Sequence, residues 1–263
     1  MSGSNLTKEQ RREAAREKAR LLQEQEKKRL KRNKIIAIVS SIVVLALVVF
    51  AVVKIVGGSK AVAESKNVQA DYGILIDSTG AATTNVMDVP QVGIYEDTIC
   101  IHCWELEAGA KEAIDAHMAA GDVQFTIYPV SIFPQQQSSW GAAAMFYIAS
   151  EAPAQLHDYH SIVMGEQSGI FPRMQAGEEL PIEEFVAAAQ AAGVPQDVVD
   201  AMPDALESTE WKNYVNSATR AFTEKFKEQA GTPTVMLNGE KEDAWGNPQN
   251  FGAWLDQVVE DAS

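Results

Sequence analysis

Two cysteines occur in this 263-residue chain, and they stand three positions apart in Cys100-Ile101-His102-Cys103. A CxxC pair can exchange disulfides, supply half of a metal site or close a small structural loop. Its surroundings favour the first. The alternating apolar run ending at Tyr95 predicts a strand, and the Ala-, Glu- and Leu-rich stretch Trp104 to Ala120 predicts a helix. A sulfur at such a junction meets the unpaired N–H groups and the positive end of the helix, both of which favour thiolate. That matters because an ordinary thiol, with a pKa near 8.5, is only about 3% ionised at neutral pH. Cys100 is placed to receive those N–H groups, and His102, as imidazolium, would lower its pKa further. Cys103, one turn in, should face the interior. A stabilised thiolate makes the disulfide form the stronger oxidant.

The other chemistries lack support in the pattern. A four-residue disulfide loop removes little unfolded-chain entropy. A zinc site needs a second pair of ligands; His117, His157 and His160 remain, but the last two lie at i, i+3 on an amphipathic stretch and read as surface histidines. Copper handling through the two thiolates would call for a Met-rich cluster, which is not evident. No metal and no cofactor beyond the Cys100–Cys103 couple is expected.

The second feature is Thr232-Pro233, set between a helical region and the apolar run Thr234 to Gly239. An X–Pro bond there can be cis; the competing reading is a trans proline opening an edge strand.

Elements that could hold these residues follow in order. Tyr72–Ile76, Gln91–Tyr95 and Val123–Val130 predict strands, with a Ser/Thr/Gly-rich turn region at Asp77–Asn85. Strand, helix and strand around the motif form a βαβ unit with parallel strands. From about 138 to 229 the pattern is helical: Trp140–Ser150, His157–Met164, Pro181–Ala192, Pro195–Met202 and Ser208–Gln229, punctuated by prolines at starts or turns. Phe146, Tyr147, Phe171, Phe185 and Phe222 read as its core. The chain returns to strand at Thr234, turns at Asn238-Gly239 towards a hairpin strand at Lys241–Trp245, and closes with a helix over Asn247–Val259. Trp104 reads equally as an apolar rim for unfolded chains or as core.

Charge divides the chain. Residues 1–34 carry 12 Lys and Arg against 5 Asp and Glu, residues 57–263 carry 9 against 31, and the total is −14. An acidic body argues against nucleic-acid binding. Ile35–Val56 is a 22-residue run with Lys54 as its one charge, long enough to span a bilayer and too long for a signal-peptide core. The basic flank places residues 1–34 in the cytoplasm and the rest outside, with Arg29, Lys31, Arg32 and Lys34 available to anionic lipid. Residues 57–70 read as a linker, and Ala61-Val62-Ala63, which resembles a cleavage site, leaves release after export open.

An extracytoplasmic CxxC at a strand-to-helix junction, a helical insertion, then Gly231-Thr-Pro-Thr-Val-Met-Leu-Asn-Gly239 resembles the DsbA-like branch of the thioredoxin superfamily. The resemblance is in particular to the membrane-anchored thiol-disulfide oxidoreductases of Gram-positive bacteria, and it covers roughly residues 71–260. It implies a thioredoxin-like α/β fold with a helical insertion over residues 71–263, behind a single transmembrane helix. Cys100 would be the sulfur attacked, Cys103 the sulfur that resolves the mixed disulfide, and Thr232 and Pro233 the residues that hold an extended substrate. Two departures stand out. Ile101 replaces the family's usual proline, leaving the redox poise open. Ile94 occupies the place of a carboxylate six residues before the first cysteine, so Glu96 or Asp97 would have to relay protons from Cys103, or else be solvated loop residues. The implied partners are reduced exported proteins, a membrane reoxidant and the bilayer. A reductase or isomerase on the same fold, an anchored chaperone and a metal-handling module stay as alternatives.

Overall fold

The computed structural model describes residues 65–165 and 170–262, except for the side chains at 171, 174 and 175. The basic segment, the apolar run 35–56, most of the linker and the side chain of Phe171 lie outside the described residues. Among those described, no helix is long and apolar enough to cross a membrane.

Strands β1 (Ile74–Ile76), β2 (Ala82–Thr83), β3 (Gln91–Glu96), β4 (Gln124–Pro129), β5 (Thr234–Leu237) and β6 (Glu240–Lys241) form one sheet in the order β2-β1-β4-β3-β5-β6. Only β3 and β4 pair in parallel, Gln91 opposite Gln124 through Glu96 opposite Pro129. Helix α1 (Ile101–Ala120) is the crossover between them. A parallel pair sends both chains out at the same sheet end, so the motif after β3 and the loop 130–135 after β4 emerge side by side. β5 runs antiparallel to β3, with Tyr95 opposite Thr234, which brings Thr232-Pro233 to that end as well.

The sheet is buried on both faces. Val92, Phe125 and Ile127 belong to the large core shared with Leu106, Ala110 and Ile114 of α1. Across the other face, Tyr95 stacks on Tyr128 at 4.2 Å between centroids and meets Phe222 at 4.9 Å. Helix α1 stops at Gly121, which takes φ 70° and donates its N–H to the His117 and Met118 carbonyls, a left-handed ending that glycine adopts without penalty.

The insertion consists of α2 (Gln136–Glu151), α3 (Leu156–Met164), α4 (Ile170–Gln175), α5 (Glu183–Ala191), α6 (Gln196–Glu207) and α7 (Thr209–Phe226); α8 (Phe251–Ala262) closes the domain against α1. α2 is its axis, buried from Gly141 to Ser150 and contacting α3, α5, α6 and α7. Of the expected core aromatics, Phe146, Tyr147, Phe185 and Phe222 are all buried.

Several boundaries differ from the sequence reading. β2 falls within the region read as a turn, where the Asp77 carboxylate accepts N–H bonds from Thr79 and Ala81 and folds the chain back. α4 was not expected. The hairpin partner of β5 is Glu240–Lys241 rather than Lys241–Trp245, since Trp245 turns inward, donates to the Glu242 carbonyl and packs against Phe251. α6 continues through Pro203. The missing proline N–H loses one helical bond there, while Val199, Met202 and Leu206 anchor the same helix on either side.

Candidate active site

Cys100 is the N-cap of α1, with φ −82° and ψ 121°, and no side chain caps that end. The first-turn N–H groups are therefore left to the Cys100 sulfur. Its own N–H donates to the Asp97 carbonyl at 2.9 Å, which fixes the cap. Both cysteines are thiols and both are buried. The Thr232-Pro233 bond is cis, and the Cys100 thiol donates to the Thr232 carbonyl at 3.3 Å. Met164, at the end of α3, packs against both cysteines.

Several donors hold the Cys100 thiol down to about 6. The Cys103 thiol is the strongest; burial opposes it; the Thr232 hydroxyl and the backbone N–H groups of Cys103 and His102 assist. That hydroxyl is buried and makes no hydrogen bond among the described residues, which leaves it available to the sulfur once Cys100 ionises. Cys103 is pushed well above the ordinary thiol value, first by burial and then by the hydrogen bond and charge of Cys100 and the charge of Glu96. One sulfur is made to ionise and its neighbour to keep its proton.

His102 reaches Cys100 through its N–H. Its imidazole is exposed and pairs with Glu105 at 2.9 Å, which raises its pKa, with a smaller contribution from the charge of Cys100. Trp104 is half-buried and lines a groove with Gly109 and Pro248. Glu96 and Asp97 are neither solvated nor alike. Asp97 is fully buried, and its carboxylate accepts from the N–H groups of Ile99 (3.1 Å) and Ile132 (2.8 Å) and from the Ser138 hydroxyl (2.6 Å). Burial pushes it up to about 6 against those bonds. It ties the motif loop to the loop after β4 and to α2. Gly141 of α2 makes this closeness feasible, because a Cβ there would lie 1.8 Å from the Thr98 hydroxyl.

Glu96, at the end of β3, turns the other way. Its carboxylate meets His160 Nε2 at 2.7 Å, and His160 Nδ1 lies 4.0 Å from Glu107 of α1. Burial works against a charged imidazole, but Glu96 and Glu107 override it and hold His160 up to about 9. Glu107 is raised, chiefly by burial. His160 is thus no surface histidine: α3 is enclosed by α1, α2 and α5, so more than one of its faces is interior. Glu107, Ser138 and Met164 also escaped the sequence reading. Among the described residues no group of three or more His, Cys, Asp and Glu is arranged to hold a metal ion.

A thioredoxin family model matches residues 88–257, and the chain belongs to that family. Its branch is the DsbA-like thiol-disulfide oxidoreductases. Among solved structures it is similar to MdbA, a thiol-disulfide oxidoreductase from Actinomyces oris, at 28% identity and TM-score 0.60 over 74% of this chain and 90% of that one. The reduced DsbA of Mycobacterium tuberculosis matches at 22% identity and TM-score 0.56, over 72% and 93% of the two chains. The reduced DsbG of the same organism, a disulfide bond oxidoreductase, matches at 22% and 0.55, over 73% and 89%. At 22% identity these two speak for the fold alone. No curated protein matches the chain.

Proposed function

We propose that the domain introduces disulfide bonds into exported proteins from the outer face of a membrane, held there by residues 35–56 with residues 1–34 in the cytoplasm. The observation that carries this reading is the opposite treatment of two equally buried thiols: Cys100 is surrounded by donors and lowered, Cys103 is raised. A disulfide whose reduced form gains a stable thiolate is the more readily reduced by a substrate. A substrate thiolate attacks Cys100 Sγ, the Cys100–Cys103 bond breaks, and Cys103 leaves with the electron pair and takes a proton. A second substrate thiolate then attacks the substrate sulfur of the mixed disulfide, expelling Cys100 as thiolate. Thr232 and Pro233, set against Cys100, would hold the substrate as an added extended segment. The two electrons return to a membrane reoxidant.

Trapping the thiols in the cell with an alkylating mass tag tests the direction. Oxidised cysteines are expected. Predominantly reduced ones would replace this reading with a reductase or isomerase. Full activity in assisting refolding after replacement of both cysteines would replace it with a chaperone.

A further inference from the structure

We infer that His160 and Glu107 conduct protons between the Glu96 carboxylate at the end of β3 and the solvent of a cleft on the flank of α1, away from the substrate face. The inference rests on the exchange chemistry proposed above. When Cys103 leaves the disulfide it is buried and cannot persist as thiolate, so it must gain a proton. At that moment a docked substrate covers Cys100, the cis proline and the direct way to water.

The interior offers another way. Glu96, His160 and Glu107 are 6%, 7% and 6% exposed, and they form a row: carboxylate, imidazole, carboxylate. The Glu96 Oε1 to His160 Nε2 contact is 2.7 Å and the His160 Nδ1 to Glu107 Oε1 separation is 4.0 Å. An imidazole that faces carboxylates through both nitrogens can accept a proton on one and release it from the other. At the Cys103 end, the charge of Glu96 is felt by the thiol. At the other end, Glu107 Oε1 is buried without a hydrogen-bond partner among the described residues. A cavity of about 30 Å³ touches Glu96, Glu107, His157 and His160, room and polar partners enough for a bridging water. Glu107 and His157 also line an open cleft of about 790 Å³ with Lys111, Asp115 and Ser161. These two residues are the wall between cavity and solvent.

The charges around His160 come from three elements: Glu96 on β3, Glu107 and Lys111 on α1, and His157 on its own helix. Lys111 is occupied by Asp115 (2.8 Å) and Ser161 (2.9 Å), and His157 by Asp115 (2.8 Å), so the row itself is left free to shuttle. In the oxidising direction Cys103 receives its proton through Glu96 from His160 Nε2, and Nδ1 is refilled from the Glu107 side. One proton enters from the cleft for each disulfide broken. The reverse exchange returns it by the same route.

The test isolates that step. Oxidised full-length protein is mixed with excess single-cysteine peptide, quenched in acid at millisecond intervals, and the Cys100–peptide disulfide is counted by mass spectrometry from pH 5 to 9. In the wild type the rate should follow the peptide thiolate alone, with no solvent deuterium effect. His160→Gln and Glu107→Gln should slow it, roughly tenfold or more for His160→Gln since positioned proton transfer is commonly worth 10² or above. The deficit should grow with pH, and a solvent deuterium effect should appear. A residue that only supports the fold would alter neither the pH profile nor the isotope effect. Wild-type rates and profiles in both variants would overturn the relay; if His160→Gln does not fold, Glu107→Gln decides by the same criteria. A wild-type protein that forms no mixed disulfide would overturn the exchange reading itself, and the relay with it.

Discussion

Cys100 and Cys103 are equally hidden from solvent, each 3% exposed, yet their thiols are driven in opposite directions. Burial alone would raise both. The difference lies in what each sulfur faces. Cys100, at the cap, meets the Cys103 thiol above all, then the Thr232 hydroxyl and first-turn N–H groups. Cys103, one turn along, has given its N–H to Cys100 and meets the Glu96 charge instead. Donors outweigh desolvation at Cys100, whereas at Cys103 the one backbone bond, at Asp97, is outweighed by burial and by the charges of Cys100 and Glu96. A reactive thiol here is made by the donors around it, the Cys103 thiol first and the backbone N–H groups of the cap after it, more than by exposure.

The comparison can be broken in steps of decreasing size. Cys100→Ser should abolish exchange, whereas Cys103→Ser should retain attack and accumulate mixed disulfides, visible on non-reducing gels. Equal behaviour of the two variants would erase the distinction between the sulfurs. Next in size, Asp97→Ala strips the acceptor from Ile99 N–H, Ile132 N–H and the Ser138 hydroxyl. Buried donors left unmatched cost about 1–3 kcal/mol each, so a loss of about 3 kcal/mol or more is expected in urea unfolding.

On the Cys103 side, His160 has a raised folded pKa, about 9 against 6.5 when unfolded. Its contribution is full below pH 6.5 and disappears as pH rises through 9, because folded protein there holds a proton that unfolded protein lacks. The oxidised form, free of thiolate, should therefore lose up to about 3 kcal/mol between pH 6.5 and 9. His160→Gln should flatten that slope in denaturation curves collected across the range.

The smallest effects belong to the Cys100 side. Thiolate absorbance at 240 nm should rise with a midpoint near pH 6. Thr232→Val should move the midpoint up by about one unit, the worth of one hydrogen bond to a charged group. His102→Ala should move it less, because that imidazole is exposed and turned to Glu105.

These two sides were unequally legible in the sequence. Spacing put Cys100 at a helix start, and residue order brought Thr232-Pro233 to it, because a CxxC and a strand-opening proline leave local marks. The crossover helix, the parallel pair and the extent of the insertion followed from periodicity in the same way. The Cys103 side leaves no such mark. His160 sits 64 residues from Glu96, and an i, i+3 pair of histidines looks the same on an exposed helix as on one enclosed by three others. Glu107 falls in a helix dense in glutamates, where nothing local separates the buried one from Glu105 and Glu112 on the surface. Asp97 was visible as an acid beside the motif, but its role in joining two loops depends on β4 lying parallel to β3.

The sheet also bears on the company this domain keeps. Its two outermost strands, Ala82–Thr83 and Glu240–Lys241, are two residues each, the second one charged and exposed. Long bare edges invite other chains to add on as strands, and short or charged ones discourage it. A protein that meets extended, unfolded clients runs that risk at every encounter. On the reading proposed above, such clients would meet little bare backbone at either flank of the sheet, which discourages strand addition there.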